Sequence, residues 1–277
     1  MWVLPVSSIF EKNYDSNNDI WGEPQTYKKV LFYPLKLRQQ SEYDILCNLF
    51  TFAKDQIADA NIGRMSYIKF MMCIMPQFQI FQNNRDLTGD FIKLLETITE
   101  QEILILHNQP DGYDPYYNLN QLNKLKFTIK IGDTLLSEQD IEVVREIVLT
   151  QNNISLDYIK EYDKELEENL YFLYKKNDAS TLEEEIFSFS AAMKIPIYEI
   201  KEKYTIYQFH KTIQRLNLLE DYESFKPLES AGFITLKKGE IPHWLSHVPR
   251  KGRYDDLLIK KETFIKDNDI FKVSQNK

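Results

Sequence analysis

The chain has 277 residues, 43% of them apolar and 27% charged, with a formal net charge of −8 at pH 7. This length supports one large core or two moderate ones, and no apolar run approaches the roughly 18 residues a membrane span needs. The carboxylate surplus argues against a general polyanion-binding surface, and the 8 glycines leave little backbone for a Gly-rich phosphate loop.

Residues 1–40 read as largely extended. Met1-Trp-Val-Leu-Pro lacks the basic start and apolar stretch of a signal peptide, which predicts a chain that stays in the cytoplasm. Lys28 to Leu37 has strand-like composition, with Pro34 confining it to an edge or a bulge. A helical block follows. Ser41-Glu-Tyr-Asp44 is a cap-like start, and Ile45, Leu49, Phe52 and Ile57 carry an apolar face. Met65, Ile68, Met72 and Met75 predict a second helix before Pro76. Phe91, Leu94, Leu95, Ile98, Ile103 and Leu106 predict a third. Cys47 and Cys73 lie inside these patterns, which favours buried thiols over a disulfide.

Asn108 to Tyr117 is turn-rich and predicts a loop. Leu125 to Ile131 alternates apolar and polar residues as a half-buried strand does, Gly132-Asp133 supplies a turn, and the strand near Phe32 is the expected pairing partner. Ser137 to Thr150 reads as a helix capped by Ser137 with Asp140 three residues on. Leu156 to Lys176 reads as a long charged helix, and 177–180 as a break. This places an N-terminal α+β region over 1–178 and a C-terminal helical region with an irregular tail over 179–277.

Beyond that break, Thr181 with Glu184 and Thr205 with Gln208 have capping-box spacing, so two helices begin there. Leu182, Ile186, Phe189 and Met193 form one apolar stripe, and Ile206, Phe209, Ile213 and Leu216 another; the two are expected to face each other. Pro196 breaks the first helix or marks the run into the next element. The fold class is mainly α with a small β contribution (α+β), bundle-like, as one body or as two packed subdomains.

Candidate chemistry is sparse. His243 and His247 have a spacing that puts two imidazoles on one helix face, but Pro242 and Pro249 crowd them and zinc needs three or four ligands. His107 and His210 have no sequence reason to join them. Asp111-Gly-Tyr-Asp114 resembles a fragment of a calcium loop without the full ligand series, and is better read as a turn. Glu183-Glu-Glu185 sits where negative charge favours a helix N-terminus. No serine elbow, phosphate loop or nucleophile–base pair appears, so neither an enzyme, a cofactor nor a metal is expected. The helix pair also invites a helix-turn-helix reading, with Lys203, Lys211 and Arg215 on DNA. Against it, the connection of about a dozen residues exceeds the usual turn of 3–4.

The stretch Ile197-Tyr-Glu-Ile-Lys-Glu-Lys-Tyr-Thr-Ile-Tyr-Gln-Phe-His-Lys-Thr-Ile-Gln-Arg-Leu216, then Tyr222 and Gly239-Glu-Ile-Pro-His-Trp-Leu-Ser-His247, resembles the C-terminal part of tail-assembly proteins from bacteriophages of Gram-positive hosts. Phe32-Tyr-Pro-Leu-Lys-Leu37 leading to Tyr43 is similar to tail assembly chaperones encoded near the tape-measure gene. The resemblance covers about a third of the chain. It implies a cytoplasmic, non-enzymatic protein that shields tape-measure helices and recruits tail-tube subunits. Met65, Met71, Met72 and Met75, with Tyr207 and Trp244, are the candidate partner-binding side chains, since Met and aromatic residues make adaptable surfaces; core packing is the other fate open to them. A tail or baseplate component of the virion, and a DNA-binding helix-turn-helix protein, are the alternatives.

Overall fold

The computed structural model describes residues 9–10, 14–52, 62, 64–77, 86–108, 125–154, 181–231 and 243–245. The chain divides into two compact units, residues 1–156 with 183–244 and residues 157–182 with 245–277. The second falls almost wholly outside the described residues, as do the helix expected over 156–176, the boundary expected at 178 and the turn at Asp111–Asp114.

Helix α1 (Ser16–Trp21) starts where the Asp15 carboxylate accepts the Asn17 N–H at 2.9 Å, and stops at Gly22 in left-handed backbone with φ 72°. Strands β1 (Gln25–Tyr27) and β2 (Val30–Phe32) then form an antiparallel hairpin in which Tyr27 faces Val30. The hairpin turn is Lys28-Lys29 with φ of 46° and 70°. A two-residue hairpin needs this left-handed backbone to match strand twist, but a side chain there costs about 1–2 kcal/mol. The structure ties the turn down elsewhere: Lys28 Nζ lies 2.8 Å from the Asp140 carboxylate, and the Tyr27 hydroxyl donates to the same group at 2.8 Å. Lys29 is exposed, so Lys29→Gly should remove the strain and raise stability by about 1 kcal/mol. A lowered denaturation midpoint in that variant contradicts the argument.

A 3-10 turn (Leu37–Gln39) leads into α2 (Gln40–Phe50), which buries Ile45, Leu46, Leu49 and Phe50. Helix α3 (Tyr67–Lys69) widens directly into a π turn (Phe70–Ile74) and closes as a 3-10 turn (Met75–Gln77). Helix α4 (Leu87–Thr99) is capped by Asp86, which accepts the Gly89 N–H at 2.9 Å, and buries Leu87, Phe91, Leu94, Leu95 and Ile98. It ends at Glu100 with φ 55°. Ile103 and Leu106 therefore do not continue this helix as their spacing predicted. They lie in strand β3 (Ile103–His107), because the left-handed Glu100 ends the helix and Ile103-Leu-Ile-Leu106 then alternates between the two faces of a strand.

β3 pairs with β4 (Phe127–Ile131), and β4 with β5 (Thr134–Ser137), in an antiparallel sheet of order β3-β4-β5. The turn between β4 and β5 falls at Gly132-Asp133 as predicted, with Gly132 at φ 53°. The expected pairing of this strand with the one near Phe32 does not occur: β2 pairs with β1. Helix α5 (Glu138–Gln151) follows, and the predicted capping box is formed. Helices α6 (Leu182–Met193), α7 (Ile197–Lys203) and α8 (Ile206–Ser230) complete the described part. The fold is mainly helical with two small antiparallel sheets.

Edge-to-face rings fill the centre, with Phe50 6.2 Å from Tyr67 and 6.0 Å from Phe91. Arg145 of α5 lies 3.7 Å over the Tyr67 ring and donates from Nε and Nη2 to the Phe50 carbonyl at 2.8 and 2.6 Å. It thereby satisfies a carbonyl that α2 leaves unpaired at its end.

After β2 the chain runs extended as a strap. The strand expected to run on to Leu37, with Pro34 at an edge or bulge, ends instead at Phe32: Pro34 has no N–H to give, and the N–H groups around it go to other partners. Tyr33 N–H bonds Ile98 O at 2.6 Å, Leu35 N–H bonds Asn152 Oδ1 at 2.9 Å, and Leu37 N–H bonds Tyr204 O at 3.1 Å. Ile206 N–H returns to Leu35 O at 2.9 Å, and Lys36 and Thr205 form an antiparallel bridge. The strap thus joins the ends of α4 and α5 to the α7–α8 junction, and Asn152, fully buried, is held in turn by its amide donating to Val148 O at 2.7 Å.

Asp140 is the electrostatic anchor of the same region. Burial pushes its carboxyl up, but hydrogen bonds from Lys28, Ser137 and Tyr27 outweigh that and hold it below the ordinary carboxylate value. A depressed folded value means the stabilisation is present above the unfolded value, about 4, and is lost as pH falls through the folded one. Denaturation series from about pH 6 to pH 3 should show stability falling at the acid end, and Asp140→Asn should flatten that fall. An unchanged pH profile in the variant removes Asp140 from the account.

Candidate protein-binding surface

The corner formed by α6, α7 and α8 is built around few residues. Phe189 and Phe209 are buried with ring centroids 5.2 Å apart, and Tyr204 packs edge-on against Phe189 at 5.4 Å. Ile200 and Ile206 are buried as well. The two predicted stripes therefore meet at their centres. Leu182, Ile186, Ile213 and Leu216 are only half-buried, and Met193 is exposed.

Local chemistry fixes the corner. Lys194 takes left-handed φ of 55° after α6, Ser190 Oγ donates to Ile195 O at 2.7 Å, and Pro196 precedes the first residue of α7. At the start of α8 the predicted capping box is complete: Gln208 N–H bonds Thr205 Oγ1 at 3.1 Å, and Thr205 N–H bonds Gln208 Oε1 at 3.0 Å. The other end of the Gln208 amide donates to Ile20 O at 2.9 Å. Gly22 lies so close that an added Cβ would stand 3.1 Å from Thr205 Cγ2 and 3.2 Å from Gln208 Nε2. The motif Tyr204-Thr-Ile-Tyr-Gln-Phe209 thus serves a junction of backbone segments.

Turned outward on α6 and α7 are apolar side chains: Phe187 is 55% exposed and Tyr198 68%, with Met193 and Ile197 also exposed at the turn. Ala191, one helical turn beyond Phe187, is exposed too. A surface helix ordinarily sets polar residues on this side. Periodicity alone did not reveal these residues, since Phe187 lies beside the buried stripe that the pattern picked out.

The side chains proposed from sequence are dispersed. Met65, Met71 and Met75 are buried, and Met72 is half-buried. The four therefore do not form an exposed methionine surface. The physical reason is that the α3 and π-turn segment packs against α5 on one side and α4 on the other, so its methionines fill the core. Tyr207 is half-buried with Lys211 Nζ 5.7 Å from its ring centroid. Trp244 is half-buried, and its carbonyl accepts from Arg215 Nη1 at 3.1 Å.

Of the candidate DNA-contacting cations, Lys203 pairs with Glu199 at 2.8 Å, while Lys211 and Arg215 have the contacts just given. Neighbouring Glu202 pairs with Arg38 at 2.9 Å. The long connection expected between two helices contains α7, and α6 and α7 are joined by only three residues, Lys194–Pro196.

His243 stacks edge-on against Tyr222 at 5.1 Å, and His247 lies outside the described residues. His107 lies on β3 beside Phe127, and His210 is on α8 against Phe209. Burial lowers the His210 imidazole below its ordinary value, with Glu185 opposing and Lys211 adding to the shift. Among the described residues, no three His, Cys, Asp or Glu side chains are grouped to hold a metal ion. Cys47 and Cys73 are half-buried thiols, not joined in a disulfide. No described helix is long and apolar enough to cross a membrane.

Residues 175–249 match the family model of the YomV second domain, a phage-associated domain. The match spans α6, α7 and α8 and the stretch containing His243 and Trp244. No curated protein and no solved structure matches the chain at a significant level.

Proposed function

We propose that this chain is a non-enzymatic tail assembly chaperone of a bacteriophage, binding apolar helices of a tape-measure protein and bringing tail-tube subunits to them. The observation that carries this reading is the coincidence of a phage-associated domain over 175–249 with apolar and aromatic side chains turned to solvent on α6 and α7. Exposed apolar side chains of this kind mark contact surfaces when they cluster, and the net charge of −8 favours protein over nucleic acid as the partner.

Co-expression with the candidate tape-measure and tail-tube proteins tests the reading. A complex should be recovered whose stability depends weakly on salt, and Phe187→Ser with Tyr198→Ser should weaken it about tenfold or more, since exposed aromatics dominate such contacts. Recovery of this chain in stoichiometric amounts from finished particles would favour the virion-component reading instead.

The three-residue link between α6 and α7 supports one other reading, a helix-turn-helix on DNA, because that motif uses a turn of about 3–4 residues. Its short second helix carries Glu199 and Glu202 beside Lys201 and Lys203, which cancels its charge. Little duplex binding is therefore expected near physiological ionic strength. Steeply salt-sensitive DNA binding that Lys203, Lys211 and Arg215 variants abolish, with no binding to tail proteins, overturns the chaperone reading.

A further inference from the structure

We propose that the outer face of the β3-β4-β5 sheet docks an acidic amphipathic helix of a partner protein, at a surface separate from α6 and α7. One face of this sheet is buried through Ile103, Phe127, Ile129, Ile131 and Leu136. The opposite face of such a sheet is ordinarily polar. Here it carries Leu104, Leu106 and Leu135, which are 46%, 47% and 58% exposed. The register places Leu104, Lys130 and Leu135 in one row across the three strands, and Leu106 beside Thr128 in the next.

Charge identifies the occupant. Lys126 and Lys130 lie on the same side of the central strand by alternation, and among the described residues neither forms an ion pair. Glu102, at the near end of β3, does not pair with them. Leucines on the two outer strands thus flank a line of unpaired cations, on a chain whose net charge is −8. The β3 and β5 rows stand about 10 Å apart, the diameter of one helix. A helix seated there covers the leucines with its apolar stripe and offers carboxylates beside it to Lys130, whose long stem lets its ammonium reach the edge of the contact. Two copies of this face meeting about a two-fold axis would set lysines against lysines, which disfavours a second copy of the chain as occupant.

The test uses the full chain and two labelled helical peptides of about five turns with the same leucine stripe, one flanked by Glu and one by Lys, read by fluorescence anisotropy. The Glu peptide should bind, and the Lys peptide should bind about tenfold or more weakly. Leu104→Thr with Leu135→Thr should weaken the Glu peptide by a similar factor at an unchanged melting midpoint, and Lys130→Glu should exchange the preference of the two peptides. If the double variant melts early, the Lys130→Glu change, at a half-buried side chain on the outer face, decides alone. Absence of Glu-peptide binding, equal binding of both peptides, or indifference to Lys130→Glu overturns the proposal. So does self-association in sedimentation that the leucine substitutions abolish, which would assign the face to a second copy.

Discussion

Phe209→Ala lowers the unfolding free energy by about 3–5 kcal/mol, the range for truncating a fully buried aromatic ring. Phe209 is 0% exposed and its ring stands 5.2 Å from Phe189. The truncation removes packing that Tyr204 and Phe189 share, and rigid neighbours in backbone contact with the strap restrict how far the cavity can collapse. Because Glu183–Trp244 belongs to the same compact unit as residues 1–156, the loss should appear as an earlier melt of that whole unit. A variant whose midpoint is unchanged, or in which only the helical corner melts early, contradicts this.

Arg145→Met has the second largest effect, about 2–3 kcal/mol. The guanidinium gives two hydrogen bonds to the Phe50 carbonyl while stacking on Tyr67, whose hydroxyl in turn donates to Leu49 O at 2.6 Å. Methionine keeps most of the stem packing but leaves the end of α2 without its donor. Arg145→Lys should recover less than half of the loss, because an ammonium cannot reproduce the planar fork or the stacking. Full recovery by lysine would show that charge alone is at work. Urea denaturation of the three proteins at one pH measures the series.

Two capping signals were legible in the sequence, whereas Ser41, read as a helix start, falls inside α2, which begins at Gln40 without a side-chain cap. Ser137 with Asp140, and Thr205 with Gln208, form the hydrogen bonds their spacing requires, because a cap is decided within four residues. Pro196 and Gly132 likewise punctuate the chain where their backbone restrictions say they should. Elements decided by distant partners were hidden. The run Ile103-Leu-Ile-Leu106 fits a helical stripe as well as a strand, and only pairing with Phe127–Ile131 settles it. The β1–β2 hairpin was invisible because Lys28-Lys29 is not a turn dipeptide, and its strain is offset by Asp140 more than 100 residues away. Methionine spacing could not separate core from surface, since both ask for the same periodicity; burial of Met65, Met71 and Met75 was decided by packing from α4 and α5. The outward Phe187 and Tyr198 were missed for the converse reason, as apolar residues in an amphipathic helix are first assigned inward.

The strap has a consequence for the order in which the chain is made. The Leu35 carbonyl and the Leu37 N–H find their partners at Ile206 and Tyr204 about 170 residues later, so residues 1–156 leave the ribosome with these two groups of the strap unpaired, although Tyr33 and the Leu35 N–H already have theirs at Ile98 and Asn152. The two groups must wait until most of the chain has been translated, and contacts of such long sequence separation close slowly. At a synthesis rate of about 5–20 residues per second, that interval is on the order of ten seconds or more, during which unpaired N–H and C=O groups beside apolar residues are open to other chains. A fragment limited to residues 175–249 never receives the strap at all. The matched domain is therefore a unit of sequence whose native corner is completed from outside its own boundaries.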